Sequence, residues 1–256
     1  MRVHPTAIVE DGALLGADVE IGAYSVIGAG VRIGDGTRIH PHVVVAGDTT
    51  IGKKCEFFSF ACVGTQTQDL KFKGGATSVE IGDRTTLREY VTVNSGTNEG
   101  EVTKVGSDCH ILAYCHVAHA CRVGDGVIMS NGATLGGDVV VEDQAIIGGL
   151  TGVHQFTRIG RLCMVGGMTK VTKDCPSFMI VDGNPARVRG VNVIGMERRS
   201  ISNEARSSIK KAHRIIFRGE LSTQQAIDEV RTKVAMCDEL EQLLSFVESS
   251  KRGVLK

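Results

Sequence analysis

Tryptophan is absent from this 256-residue chain, aromatic residues make up only 4% of it, and there are four prolines. A chain of this length can bury a sizeable core, but large rings cannot fill it, so aliphatic side chains must. Lys plus Arg number 29 and Asp plus Glu also 29, so no global field draws the chain to nucleic acid. No uncharged apolar run approaches the roughly eighteen residues of a membrane-crossing helix. The N-terminal MRVHPTAIVEDG lacks the charged-then-apolar layout of a secretion signal. These absences lead to the expectation of a soluble, cytoplasmic protein with no transmembrane segment and no nucleic-acid partner. Glycine, by contrast, is plentiful at 32 residues, a surplus that points to a repeat.

The repeat has a period of six. Of the 28 positions from 9 to 171 whose number leaves remainder three on division by six, only Asp69, Gly75 and Glu99 are not large and apolar. Two residues before each aliphatic sits a small or β-branched residue, as at Ala7, Ala13, Val19, Ser25 and Val31, and Gly often follows it, as in LLGADVEIGAYSVIGAGVRIG. Helices, with a period near 3.6, cannot generate this pattern. In a short strand the aliphatic and the residue two before it share a face, and the rest of the hexad makes a corner. Three such strands close a triangular coil of 18 residues, and coils stack about 4.8 Å apart. Each inward aliphatic contributes roughly 1.5–3 kcal/mol, much of it offset by chain entropy. The expected fold class is therefore mainly β, a parallel β-helix shaped as a triangular prism. The period leaves the hand open, with right-handed crossovers the default.

Three places break the pattern. Residues 64–78 (GTQTQDLKFKGGATS) and 94–104 (NSGTNEGEVTK) are polar and Gly-rich, and the phase resumes after each. They read as loops ejected from the coil, where binding residues commonly reside. After about residue 176 a helical period takes over: Ala205, Ile209, Ala212 and Ile216 share a face, and a Ser222-to-Gln225 capping box opens a second helix carrying Ile227, Val230 and Val234. A third carries Leu240, Leu243, Leu244 and Val247. The expected division is 1–190 for the prism and 191–256 for a small α-helical C-terminal domain.

The stretch AYCHVAHACRVG at 113–124 resembles a metal-ligand set until the phase is applied. Cys115 and Cys121 occupy the small inward slot, as do Cys55, Cys109, Cys163 and Cys175, whereas His116 and His119 have outward phases. Cysteines inside and histidines outside cannot share one tetrahedral ion, so packing explains the cysteines without metal or disulfide. Residues 18 apart then form columns: His119, Gly137 and Gln155 in one, Ala118, Gly136 and His154 beside it. A histidine next to a bare glycine backbone offers a base and an amide donor in one groove.

An ordered set of motifs runs through nearly the whole chain: QDLKF, VEIGDRTTLREYVTV, TKVGSD, HVAHAC, NGATLGGDV, AIIGGLTGVHQF, MVGG, GVNVIGMERR and a closing RG. In these the chain resembles the acyl carrier protein-dependent UDP-N-acetylglucosamine 3-O-acyltransferases that begin lipid A synthesis, within the hexapeptide-repeat acyltransferases. The resemblance implies a left-handed prism, homotrimers with clefts between subunits, acyl carrier protein as donor partner, a UDP-amino-sugar acceptor, and no cofactor or metal. It places His119 as general base and the Gly137 N–H as oxyanion donor. Gln68, Asp69, Lys71, His116, His154, Gln155, Asn192 and Arg198 match substrate-binding positions, and Gly167 matches the position limiting acyl length, where neighbouring Met168 could shorten the groove.

Several positions depart from that pattern. Ala120 follows the base where relatives commonly carry Asp, Asp138 replaces a His beside the oxyanion glycine, VNSGT stands for IHRGT, and Ile194 replaces an acidic residue. Asp138 and Ile194 are both expected near the acceptor sugar, so a 3-amino sugar is an alternative acceptor, with Asp138 pairing the ammonium before it loses its proton. A zinc hydratase of the carbonic anhydrase type, with His116, His119 and His154 as ligands, is a rival chemistry; a structural scaffold leaves both polar loops unexplained. Arg187, Arg189, Arg198, Arg199, Arg206, Lys210, Lys211 and Arg214 gather positive charge suited to an acidic carrier protein.

Overall fold

Period-six side chains demand a chain that turns every six residues, and the computed structural model, which describes residues 1–256, does so. Strands of mostly two residues, such as His116–Val117, fall into three sheets of 11, 9 and 8 strands, parallel except for the last strand of the first. The first face runs from Arg2–Val3 to Met164–Val165, the second from Ile8–Val9 to Lys170–Val171, and the third from Leu14–Leu15 to Arg158–Ile159. The architecture is a left-handed parallel β-helix with a helical C-terminus. The first face ends in an antiparallel hairpin of Met179–Asp182 and Arg187–Val191, which closes the last coil.

The inward positions are buried as the phase requires: Ile111, Val117, Leu135, Ile147 and Val165 are completely covered. Cys55, Cys109, Cys115, Cys121, Cys163 and Cys175 lie among them as free thiols. Burial pushes the Cys109 and Cys115 thiols up to about 11 and that of Cys121 up to about 12.

Most corners are made by a residue whose number is a multiple of six. From Asp18 to Met168 the non-glycine residues at this position have φ between 53° and 68°, except Asp48, Gln66, Phe72, Ser78 and Val102, which lie in or beside longer strands and the ejected loops; this left-handed conformation costs roughly 1–2 kcal/mol per residue. Three continuous parallel ladders hold the chain there against that strain. The two ejected loops leave the ladders intact. Val63 pairs with Val93, thirty residues on, and Val93 with Val117, twenty-four on, where eighteen is the rule. The excursions therefore add twelve and six residues, both whole hexads, which is why the phase survives them.

Four helices follow: α1 (Val193–Arg198), α2 (Asn203–Arg218), α3 (Thr223–Lys233) and α4 (Asp238–Glu248). The Ser222–Gln225 capping box is present at α3, and Ser202 caps α2 through the Ala205 N–H. Their apolar faces, including Ile209, Ile216, Ile227 and Leu243, join the prism core in one continuous cluster. The C-terminus returns to the prism, where Ser250 donates to Asp174 at 2.7 Å and the Leu255 N–H donates to the Asp174 carbonyl at 2.9 Å. No helix is long and apolar enough to cross a membrane.

Candidate active site

The chain turns from the second face to the third at residues 118–121 and again at 136–139, one coil later. The Asp138 N–H donates to the His119 carbonyl at 3.0 Å and the Phe156 N–H to the Gly137 carbonyl at 3.0 Å. The column His119, Gly137, Gln155 expected from the repeat is therefore formed. A Cβ on Gly137 would run into the imidazole of His119, so the ring lies against the bare Gly137 backbone.

That backbone carries an unused donor. On the edge between the third and first faces, the N–H groups of Ala17, Ser107 and Asp125, at the same place in the hexad as Gly137, donate to Asp35, Asp125 and Asp143, each one coil on. Gln155, one coil beyond Gly137, gives no such acceptor, and the Gly137 N–H makes no hydrogen bond within the chain. A base and a free amide donor thus stand side by side, the pairing required to deprotonate a nucleophile and hold a tetrahedral oxyanion.

The outward histidine is less open than its phase predicts, because the ejected loops fold over it and leave its side chain 16% exposed. The first loop delivers Asp69, whose Oδ2 lies 3.7 Å from His119 Nε2 and whose Oδ1 accepts the Lys71 N–H at 3.0 Å. Thr67 and Thr97 pair at 3.1 Å across the two loops, and Asn94 donates to the Thr65 hydroxyl and the Gln66 carbonyl. The second loop supplies Glu101, whose carboxylate accepts the Thr97 and Asn98 N–H groups at 2.8 and 3.0 Å. Burial pushes its carboxyl up, but the Asn98 side-chain amide, the Asn98 and Thr97 N–H groups and positive charge on His119 together hold it below the usual range. Sequence reasoning missed Glu101; its only signal was membership of a polar excursion.

On the second face His116 is half-buried, with Nδ1 2.7 Å from the Thr92 hydroxyl. Burial, and then the nearby His119, keep its pKa below the ordinary imidazole value, so it sits in the site as a neutral ring. His154 and Gln155 are exposed on the same edge one coil on. His154 Nδ1 lies 3.0 Å from the Gln155 carbonyl, and Arg252 Nη2 approaches that same Nδ1 at 3.4 Å. Arg252, in the closing RG, was not singled out from the sequence. No three His, Cys, Asp or Glu side chains converge as a metal-ligand set, and His116, His119 and His154 are oriented by separate neighbours.

Other expected site residues lie elsewhere on the prism. Gln68 and Lys71 are exposed on the first loop. Gly167 and Met168 occupy the edge between the first and second faces, where a Cβ on Gly167 would meet only the Gly149 backbone, at 3.3 Å or more, and Met168 is 75% exposed. Asn192 is buried, its side chain accepting from the Gly195 N–H at 3.0 Å and donating to the Leu162 carbonyl at 2.9 Å. This commits the Asn192 amide to capping α1 and fastening it to the last coil. Arg198 is free at the end of α1, lining a cavity of about 610 Å³ with Ile128, Ile146, Met164 and Ile194. Within one chain, the His119 cleft, the Gly167 edge and the Arg198 cavity are three separate places.

Comparisons with known proteins give the family. A family model described as UDP N-acetylglucosamine O-acyltransferase, domain 2, matches residues 174–255, and the bacterial transferase hexapeptide model matches 103–137. The chain is 45% identical over all of its length to the acyl carrier protein–UDP-N-acetylglucosamine O-acyltransferase of Syntrophobacter fumaroxidans, also covered completely. It is 44% identical to that of Thermodesulfovibrio yellowstonii, with 100% of this chain and 99% of the relative covered. Among solved structures, LpxA from Acinetobacter baumannii superposes with a TM-score of 0.95 at 39% identity, covering 99% of both chains. The UDP-N-acetylglucosamine acyltransferase LpxA from Bacteroides fragilis gives 0.96 at 35%, again covering 99% of both. With full-length identity of this order and the same architecture throughout, the chain belongs to the acyl carrier protein–UDP-N-acetylglucosamine O-acyltransferase family.

Proposed function

We propose that this protein transfers an (R)-3-hydroxyacyl group from acyl carrier protein to the 3-hydroxyl of UDP-N-acetylglucosamine, the first step of lipid A biosynthesis. The observation that carries the mechanism is the His119 ring lying on Gly137 beside an N–H that no group in the chain uses. His119 Nε2 removes the hydroxyl proton as the oxygen attacks the thioester carbonyl. The Gly137 N–H receives the oxyanion. When the intermediate collapses, the C–S bond breaks and the proton held by His119 passes to the departing thiolate, leaving the base neutral for the next turn. General-base and oxyanion contributions of this kind are each worth about 10²–10⁴-fold and 10²–10³-fold in rate. The scheme needs no cofactor.

The donor and acceptor require more surface than one chain brings together. A homotrimer that sets the His119 edge of one subunit against the Gly167 edge of the next supplies the acyl groove, in which Gly167 leaves room for a long chain and Met168 borders it. The exposed apolar residues Tyr24, Phe60, Tyr90, Tyr114, Leu150 and Met168 along that second edge suit such an assembly. Gln68, Asp69, Lys71, His116, His154 and Gln155 are positioned for the acceptor, and Arg198 for its charged nucleotide. Under this proposal residues 1–190 perform the transfer and 191–256 receive the carrier, whose acidic surface the exposed Arg199, Lys210, Lys211 and Arg214 attract, together with Arg187 and Arg189 of the adjoining hairpin.

The experiment offers a 3-hydroxyacyl carrier protein series to purified protein with UDP-N-acetylglucosamine or its 3-amino analogue, and follows products by mass spectrometry. Acylation of the hydroxyl sugar, lost in His119→Ala, is the expected result. Acylation of the amine alone would move the acceptor, a second reading favoured by the carboxylates of Asp69, Glu101 and Asp138 around the base. A monomer in light scattering would end the shared-cleft picture.

A further inference from the structure

Among the three histidines of the cleft, His119 alone has a buried Nδ1 with no hydrogen-bond partner. Leaving such a nitrogen unpaired costs about 1–3 kcal/mol, and only four buried side-chain polar atoms in the molecule are left so. A carboxylate stands within reach. Asp138 Oδ2 is 3.9 Å from Nδ1, and the Asp138 backbone is tied to the His119 carbonyl by its own N–H. The corner conformation at Asp138, φ 59°, fixes where its side chain starts. Closing that gap to the roughly 3 Å of a hydrogen bond is the kind of tightening expected when substrate fills a resting site.

The remaining neighbours of the ring are otherwise engaged. Asp69 faces the opposite nitrogen, Nε2, on the side the acceptor must enter, and its second oxygen is held by Lys71. Glu101 is held by the N–H groups of its own loop. Lys71 adds positive charge near Asp138, and His116 is paired with Thr92.

We infer that Asp138 is a positioning residue for His119: its carboxylate accepts the Nδ1 proton, fixes the tautomer whose Nε2 lone pair faces the acceptor, and stabilises the imidazolium formed during transfer. The inference rests on the reading of His119 as general base. It assigns to the coil above the histidine a carboxylate that Ala120, the residue after it, cannot supply. Over one cycle the Nδ1 proton stays on the ring, while the hydroxyl proton enters at Nε2 and leaves with the thiolate. Burial raises the Asp138 carboxyl above its ordinary value while positive charge on His119 lowers it, followed by smaller raising effects of Glu101 and Asp69 and a lowering one of Lys71. An imidazolium at His119 therefore favours ionised Asp138, and the reverse holds equally.

The test uses Asp138→Asn, which tolerates the left-handed corner and keeps an acceptor oxygen without its charge. In the full-length protein with isotope-labelled histidine, the His119 ring is assigned through His119→Gln and titrated by NMR. The wild-type ring carries its proton on Nδ1 when neutral, and Asp138→Asn lowers its midpoint by about one pH unit. The acid limb of kcat moves with it, kcat falls about 10- to 100-fold, KM for the UDP-sugar changes little, and Asp138→Glu recovers part of the loss. An unmoved His119 titration in Asp138→Asn, or a loss confined to KM, overturns the inference. Full transfer by His119→Ala overturns the general-base reading instead, so the two failures are told apart.

Discussion

Two edges of the prism share one backbone and do opposite things with it. On the edge between the third and first faces, aspartates of one coil close the corner N–H groups of the coil before, as Asp143 does for Asp125 at 2.9 Å. On the edge between the second and third faces the same corner N–H, at Gly137, is left open, and the side chain that touches it is His119. Closing a corner gains a hydrogen bond and consumes a donor; leaving it open gives up that bond and keeps the donor for a ligand. The difference is one of side chains alone, since φ at the corner residues Gln144 and Asp138 is 61° and 59°.

The comparison breaks most completely at the base. His119→Ala should lower kcat by about 10²- to 10⁴-fold with the fold intact, measured as acyl transfer beside an unchanged circular dichroism spectrum. Next comes conversion of the open edge into a closed one. Gln155→Asp puts a carboxylate where Asp143 stands on the other edge, and should cap the Gly137 N–H. The expected outcome is a kcat loss of about 10²-fold with no loss of stability in urea, so an activity above half of wild type would detach Gly137 from the oxyanion. The reverse conversion, Asp143→Ala, should cost roughly 0.5–1.5 kcal/mol of stability and leave kcat unchanged.

Acid should act on the closed regions through buried rings. His116 and His213 both titrate below the ordinary imidazole value because burial disfavours their charge. The unfolded chain then binds more protons than the folded one as pH falls through the ordinary imidazole range, near 6.5. Stability contributed by each neutral ring is present above that range and declines below it. Replacing His213 by Gln should flatten part of this decline in urea midpoints measured from pH 7.5 down to about 5.5. The smallest effect concerns thiols. An alkylating reagent near neutral pH should label Cys62 and Cys237, which are partly exposed, before any of the six inward cysteines; early labelling of Cys121 would mean that the coils open locally.

How much of this was legible beforehand follows from what a period can encode. Alternation along a strand decides which side chains face inward, so the prism, its buried cysteines and the His119–Gly137–Gln155 column could all be read from position numbers. The capping box at Ser222 was legible because it is local. Where the ejected loops lie was not, because nothing periodic places residues 66–77 over a histidine fifty positions on. Glu101 and Arg252 were therefore missed, and the covering of His119 was unforeseen. Asn192 shows a different limit: the motif that pointed to substrate gave no sign that its amide also fastens α1 to Leu162.

The whole-hexad length of the two excursions has a wider consequence. Because twelve and six extra residues both return the chain to the same corner, the prism reads insertions as a message reads codons, in a frame, here of six. An insertion off the frame turns every later aliphatic out of the core, whereas one in frame leaves every coil above it unaware. Segments of new sequence and chosen chemistry can therefore be exchanged at residues 66–77 and 96–101, beside the base, as cassettes whose length matters more than their composition.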